Sequence, residues 1–107
     1  MEKYRLEDLE IYQLALEIGE IVWAIVEKWE YFSKKTLGAQ FVDAADSISA
    51  NIAEGYGRYF YKDRKLFCYY SRGSLLETKN WAIKSFNRSL LSKDEYEILL
   101  QKLQVLH

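Results

Sequence analysis

The chain has no proline, one cysteine, one histidine, one methionine and only five glycines in 107 residues. Each scarcity closes off a class of protein. Without proline, no position loses a backbone donor or has φ locked, so nothing interrupts long helices. With Cys68 alone there is neither an intramolecular disulfide nor a thiolate-rich metal site. The reading for Cys68 is a small buried apolar side chain. With His107 alone, at the last position, no histidine can anchor a triad, and no H-x-x-E-H or E-x-x-H pattern exists. No run approaches the roughly 20 apolar residues that cross a bilayer. Met1-Glu2-Lys3-Tyr4-Arg5 leads into an acidic amphipathic segment rather than the apolar stretch of a signal peptide. The expectation is a cytoplasmic protein of a reducing compartment, with no cofactor, no metal, no small-molecule substrate and no enzyme activity.

What is present is apolar and aromatic. Half the residues are hydrophobic and 16% are aromatic, which argues against disorder and for a single packed domain over residues 1–107. Apolar spacing predicts four helices, at about 7–30, 35–54, 61–89 and 93–106, and hence an all-α bundle. Ser92-Lys93-Asp94-Glu95 reads as a capping box opening the last helix. That helix is the shortest and ends with the chain, so the native C-terminus is read as extending beyond His107 or as trimmed there. Gly55 or Gly57 reads as a left-handed stop after the second helix.

The first helix is apolar on two stripes. Leu9, Tyr12, Leu16, Gly19, Trp23 and Val26 form one, and Ile11, Ala15, Ile18, Val22, Ile25 and Trp29 form the other. A helix on the side of a small bundle needs an apolar arc of only about 100°. The excess predicts self-association through the second stripe, unless both stripes fill one core.

Charge is polarised along the chain although the net charge is −1. Residues 1–30 hold three Lys/Arg against eight acids, and residues 58–88 hold eight against two. Arg58, Tyr59, Tyr61, Lys62, Arg64, Lys65 and Arg72 interleave cations with aromatics, with Tyr56 and Phe60 among them. Rings can stack on bases while cations neutralise phosphates, which suits RNA or single strands. The same cations would equally suit the acidic first helix of this chain or a neighbouring copy, and sequence physics leaves both open. Asn51 and Glu54 interrupt an otherwise small and apolar run. They read as polar groups that fix helix register, with contact to a bound ligand as the alternative.

Three segments carry a resemblance. They are Leu9-Glu10-Ile11-Tyr12-Gln13-Leu14-Ala15, then Gln40-Phe41 through Ser47-Ile48-Ser49-Ala50-Asn51-Ile52-Ala53-Glu54-Gly55, then Arg72-Gly73-Ser74-Leu75-Leu76-Glu77. In this order they resemble the four-helix-bundle family of proteins encoded in intervening sequences of bacterial 23S ribosomal RNA genes. A related branch resembles the accessory subunit of diversity-generating retroelements. The resemblance implies an antiparallel up-and-down four-helix bundle, a ring-like homo-pentamer, and association with structured RNA. The chain departs from the family pattern where a pair of arginines is usual and Val42 and Asp43 stand instead. Ser33 and Ser49 stand where prolines are common. The expectation is a non-enzymatic, oligomeric, RNA-associated bundle, with a protein-assembly module lacking nucleic-acid binding as the alternative.

Overall fold

A computed structural model describes residues 5–107, so the Met1–Tyr4 part of the N-terminal reading lies outside the described residues. After a 3-10 turn at Leu6–Asp8 come four helices. Helix α1 is Glu10–Glu27. Helix α2 runs without a break through Tyr31–Ser33, a π-helical stretch at Lys34–Gly38, and Ala39–Tyr56. Helix α3 is Tyr61–Asn87 and α4 is Lys93–Leu106. They form the all-α antiparallel bundle expected from the sequence, with no strand among the described residues.

Local chemistry explains the boundaries. Leu9 is extended (φ −76°, ψ 123°), so α1 begins at Glu10 rather than at residue 7. The second helix starts earlier than its apolar pattern, because the Lys34 amide already donates to the Glu30 carbonyl at 2.9 Å. The helix stops at Gly57 as expected, but neither Gly55 nor Gly57 is left-handed, which corrects the conformation expected there. Gly57 stays in the right-handed region at φ −80°, and Gly55 lies buried inside the helix. Its purpose is steric, since a Cβ at Gly55 would stand 2.9 Å from the Phe67 Cβ of α3. At the head of α4, the Ser92 hydroxyl accepts from the Glu95 amide at 3.1 Å and the Glu95 carboxylate accepts from the Ser92 amide at 2.9 Å. The capping box is thus formed as the sequence predicts.

Each helix packs on its neighbours in chain order and α4 closes on α1, a square in which α2 and α3 share the longest contact. The core is built from Ile18 and Val22 of α1, Phe41, Ala45 and Ile48 of α2, Leu75 and Ala82 of α3, and Leu99 and Leu103 of α4. This assigns the two stripes of α1. The second stripe, expected at a subunit contact, is the core stripe through Ala15, Ile18, Val22 and Ile25. The first stripe leaves Leu16 and Trp23 in solvent. At one end the Trp29 indole N–H donates to the Leu90 carbonyl at 3.0 Å, tying the α1–α2 turn to the α3–α4 turn.

The helices are unequal. Twenty-seven residues of α3 reach about 40 Å at 1.5 Å per residue, against about 21 Å for the 14 residues of α4. The α2–α3 hairpin therefore projects beyond its partners in a molecule 48 × 21 × 20 Å.

Candidate nucleic-acid interface

The projecting hairpin carries the basic and aromatic residues singled out in the sequence. Its turn presents Tyr59, Phe60 and Tyr61 at 86%, 65% and 70% exposure, with the first two rings edge to face at 5.1 Å. A chain folding back between two helices cannot bury every ring it carries, and these three have no helix above them to pack on. The turn is nonetheless held from below. The Arg64 guanidinium Nη1 donates to the Tyr59 carbonyl at 2.7 Å and to the Arg58 carbonyl at 3.4 Å. It also lies 5.9 Å from the centre of the Tyr61 ring.

The other cations divide by what they touch. Arg58 pairs with Glu54 at 3.0 Å and covers the Phe67 ring at 4.9 Å. Lys65 sits 5.9 Å from the Tyr69 ring. Lys62 and Arg72 form no ion pair among the described residues. Lys62, Lys65 and the three rings share one end of the molecule, with Arg72 two turns further along α3. Lys84 and Arg88 lie at the far end of α3, so the basic segment of the sequence is not one continuous patch.

Asn51 donates from Nδ2 to the Ser47 carbonyl at 2.9 Å and to the Ser74 hydroxyl at 3.3 Å, linking α2 to α3. Glu54 is on the surface, occupied with Arg58. Cys68 is exposed rather than buried, because α3 outruns α4 on that flank. Beside it lies an open apolar cleft of about 400 Å³. Leu9, Ile52, Phe67, Leu75 and Leu106 line the cleft, and Arg72 stands among them. Among the described residues no group of three or more His, Cys, Asp or Glu side chains could hold a metal ion.

The opposite edge is acidic. Val42 and Asp43 lie there on α2, Val42 half-buried and Asp43 exposed. Asp46, one turn on, is pushed above the ordinary carboxylate range by burial, with Glu20 and Asp43 adding like-charge repulsion. The residue is exposed overall but one oxygen is sheltered over Gly19, where a Cβ would meet Asp46 Oδ1 at 2.8 Å.

Sequence reasoning passed over a second exposed aromatic pair, Tyr31 and Phe32, at 75% and 76% exposure beside Lys34 and Lys35. Lys35 stands 5.7 Å from the Tyr31 ring. The signal was available in Lys28 through Lys35, where two adjacent aromatics lie between cations.

Fold and surface together define a small helical bundle with a basic, aromatic tip. The chain belongs to the family of 23S rRNA-intervening sequence proteins, which it matches over residues 7–107. Among solved structures it is similar to a protein of unknown function from the S23 ribosomal protein family of Bacteroides thetaiotaomicron. The TM-score is 0.79 at 16% identity, over 90% of each chain, which is a likeness of fold. No protein of curated function matches the chain. No described helix is long and apolar enough to cross a membrane.

Proposed function

We propose that the chain is a non-enzymatic, cytoplasmic scaffold that assembles from several copies and associates with structured RNA through the tip of the α2–α3 hairpin. The observation that carries this reading is the turn itself, where three exposed rings sit on a backbone braced by Arg64 and are flanked by Lys62 and Lys65. Exposed rings suit unpaired bases in a hairpin loop or bulge, and flanking lysines suit the phosphates. Arg58 and Arg64 are spent on Glu54 and on backbone carbonyls, so the lysines are the phosphate contacts of the reading. Membership of a family described by 23S ribosomal RNA intervening sequences agrees with an RNA partner.

The test is a titration against a ribosomal RNA hairpin with an unpaired loop, at two salt concentrations. Lys62→Ala with Lys65→Ala should weaken binding and reduce the salt slope by about two, about one per lost phosphate contact. Tyr59→Ala should cost about 1–3 kcal/mol while leaving that slope unchanged, as expected of a stacked base. A double lysine variant that binds as tightly as the wild type, with the same slope, removes the tip from consideration.

A second reading keeps the assembly and drops the RNA. Its support is the acidic edge of α1 and α2, which repels phosphate and takes a cationic protein surface instead.

A further inference from the structure

We propose that the acidic outer edge around Glu20, Trp23 and Asp46 docks on the basic outer edge around Arg72, Lys79 and Ile83 of a second copy of this chain. The inference rests on the reading of the protein as an assembly of several copies, and supplies the two surfaces that meet.

The acidic side is a helix-packing seam with nothing on it. Leu16 and Trp23 are seven residues apart along α1, and so are Glu20 and Glu27. A seven-residue repeat keeps one line of side chains facing a second helix. Leu16 and Trp23 are 43% and 56% exposed, the second a high exposure for an indole. Val42 of α2 continues the apolar strip, sharing a groove with Trp23 in which Lys34 is the cation. Glu20, Asp43 and Asp46 crowd like charges beside it, and none of the three forms an ion pair among the described residues. Crowding of that kind costs free energy in the isolated chain and is relieved by a cation brought from outside.

The matching surface lies on α3. Arg72, Leu76, Lys79, Ile83 and Phe86 follow one another at intervals of three or four residues, so they share a face. Leu76, Ile83 and Phe86 are exposed apolar side chains along that face. Phe86 stacks on Tyr96 of α4 at 4.3 Å, which places the strip on the α3–α4 side of the square. One edge offers apolar groups among acids, and the other offers apolar groups among cations. The 18 residues of α1 span about 27 Å, matching the upper part of α3 and leaving the aromatic tip clear.

The two edges are on opposite sides of the bundle. A contact between unlike surfaces is heterologous, and it propagates from copy to copy until it closes in a ring or extends as a filament. A two-fold dimer, in which each surface meets itself, would set acid against acid.

The experiment is a charge swap in the full chain, read by sedimentation velocity over a range of concentrations, with helicity checked by circular dichroism. Glu20→Lys and Lys79→Glu should each raise the dissociation constant about tenfold or more, and the two together should restore most of the wild-type assembly. Glu20→Lys also relieves the crowding at Asp46, so its subunit should melt higher while it assembles less well. A merely misfolded variant would not melt higher. Trp23→Ala, which changes no charge, should weaken assembly as well. An oligomer indifferent to both reversals and to Trp23→Ala overturns the proposed contact but leaves the assembly reading standing, as does a wild type that stops at a two-fold dimer. A wild type that stays monomeric at every concentration overturns both.

Discussion

Two glycines of this chain do opposite things, and alanine separates them. Gly55 lets α3 lie close against α2, and a Cβ there would press on the Phe67 Cβ, an atom fixed to its backbone. Gly55→Ala should therefore destabilise the protein, by about 1–3 kcal/mol for a contact that cannot give way. Gly73 has nothing within 4 Å of its Cβ position and lies on the open side of a long helix. There alanine only removes backbone freedom from the unfolded chain, so Gly73→Ala should stabilise by about 0.5–1 kcal/mol. Chemical denaturation of both variants checks the pair. Asp46 gives a pH-dependent counterpart. Its carboxyl is raised above the ordinary value of 3.8, so its ionised form is less favourable folded than unfolded. That penalty is complete above the raised value, shrinks as pH falls toward 3.8, and is gone below it. Asp46→Asn should thus raise stability at neutral pH, with the advantage fading through that acid window, as urea midpoints measured across the range would show.

At the scale of the element, the caps and turns decide where helices begin. The Ser92–Glu95 box satisfies two amides that would otherwise be orphaned, and Ser92→Ala should cost about 1 kcal/mol in a thermal or urea melt. That box was legible in four letters, because its chemistry is local. The existence and order of the four helices were legible too, from apolar spacing unbroken by proline. Which stripe of α1 faces the core was not, since both obey the same three-four spacing and differ only in what packs on them. Ile18 and Val22 are buried in one core with Phe41 and Leu99, which lie far away in the chain. The role of Gly55 was hidden for the same reason, being set by Phe67 rather than by its own neighbours. In the candidate site, the run of rings and cations from Arg58 to Lys65 could be read directly. That Arg64 turns inward to hold two carbonyls depends on the path of the turn, which residue identities do not specify.

Across the whole molecule, the two long helices and the two shorter ones divide the labour. The square of four helices holds the core, and the α2–α3 hairpin carries its rings beyond it. Backbone amides of the projecting part are covered by one neighbour instead of two. They should exchange with deuterium faster than those around Ile48 and Ala82, a gradient that native-state exchange would resolve.

The three tryptophans provide an optical consequence of this layout. Trp29 is half-buried with its indole N–H bonded to a carbonyl, Trp81 is half-buried beside the core, and Trp23 stands in solvent on α1. Their emission should be a composite, with Trp23 supplying the red, readily quenched component. If a second copy covers that edge, dilution would unveil Trp23 alone, and the natural sequence would report its own dissociation without a label.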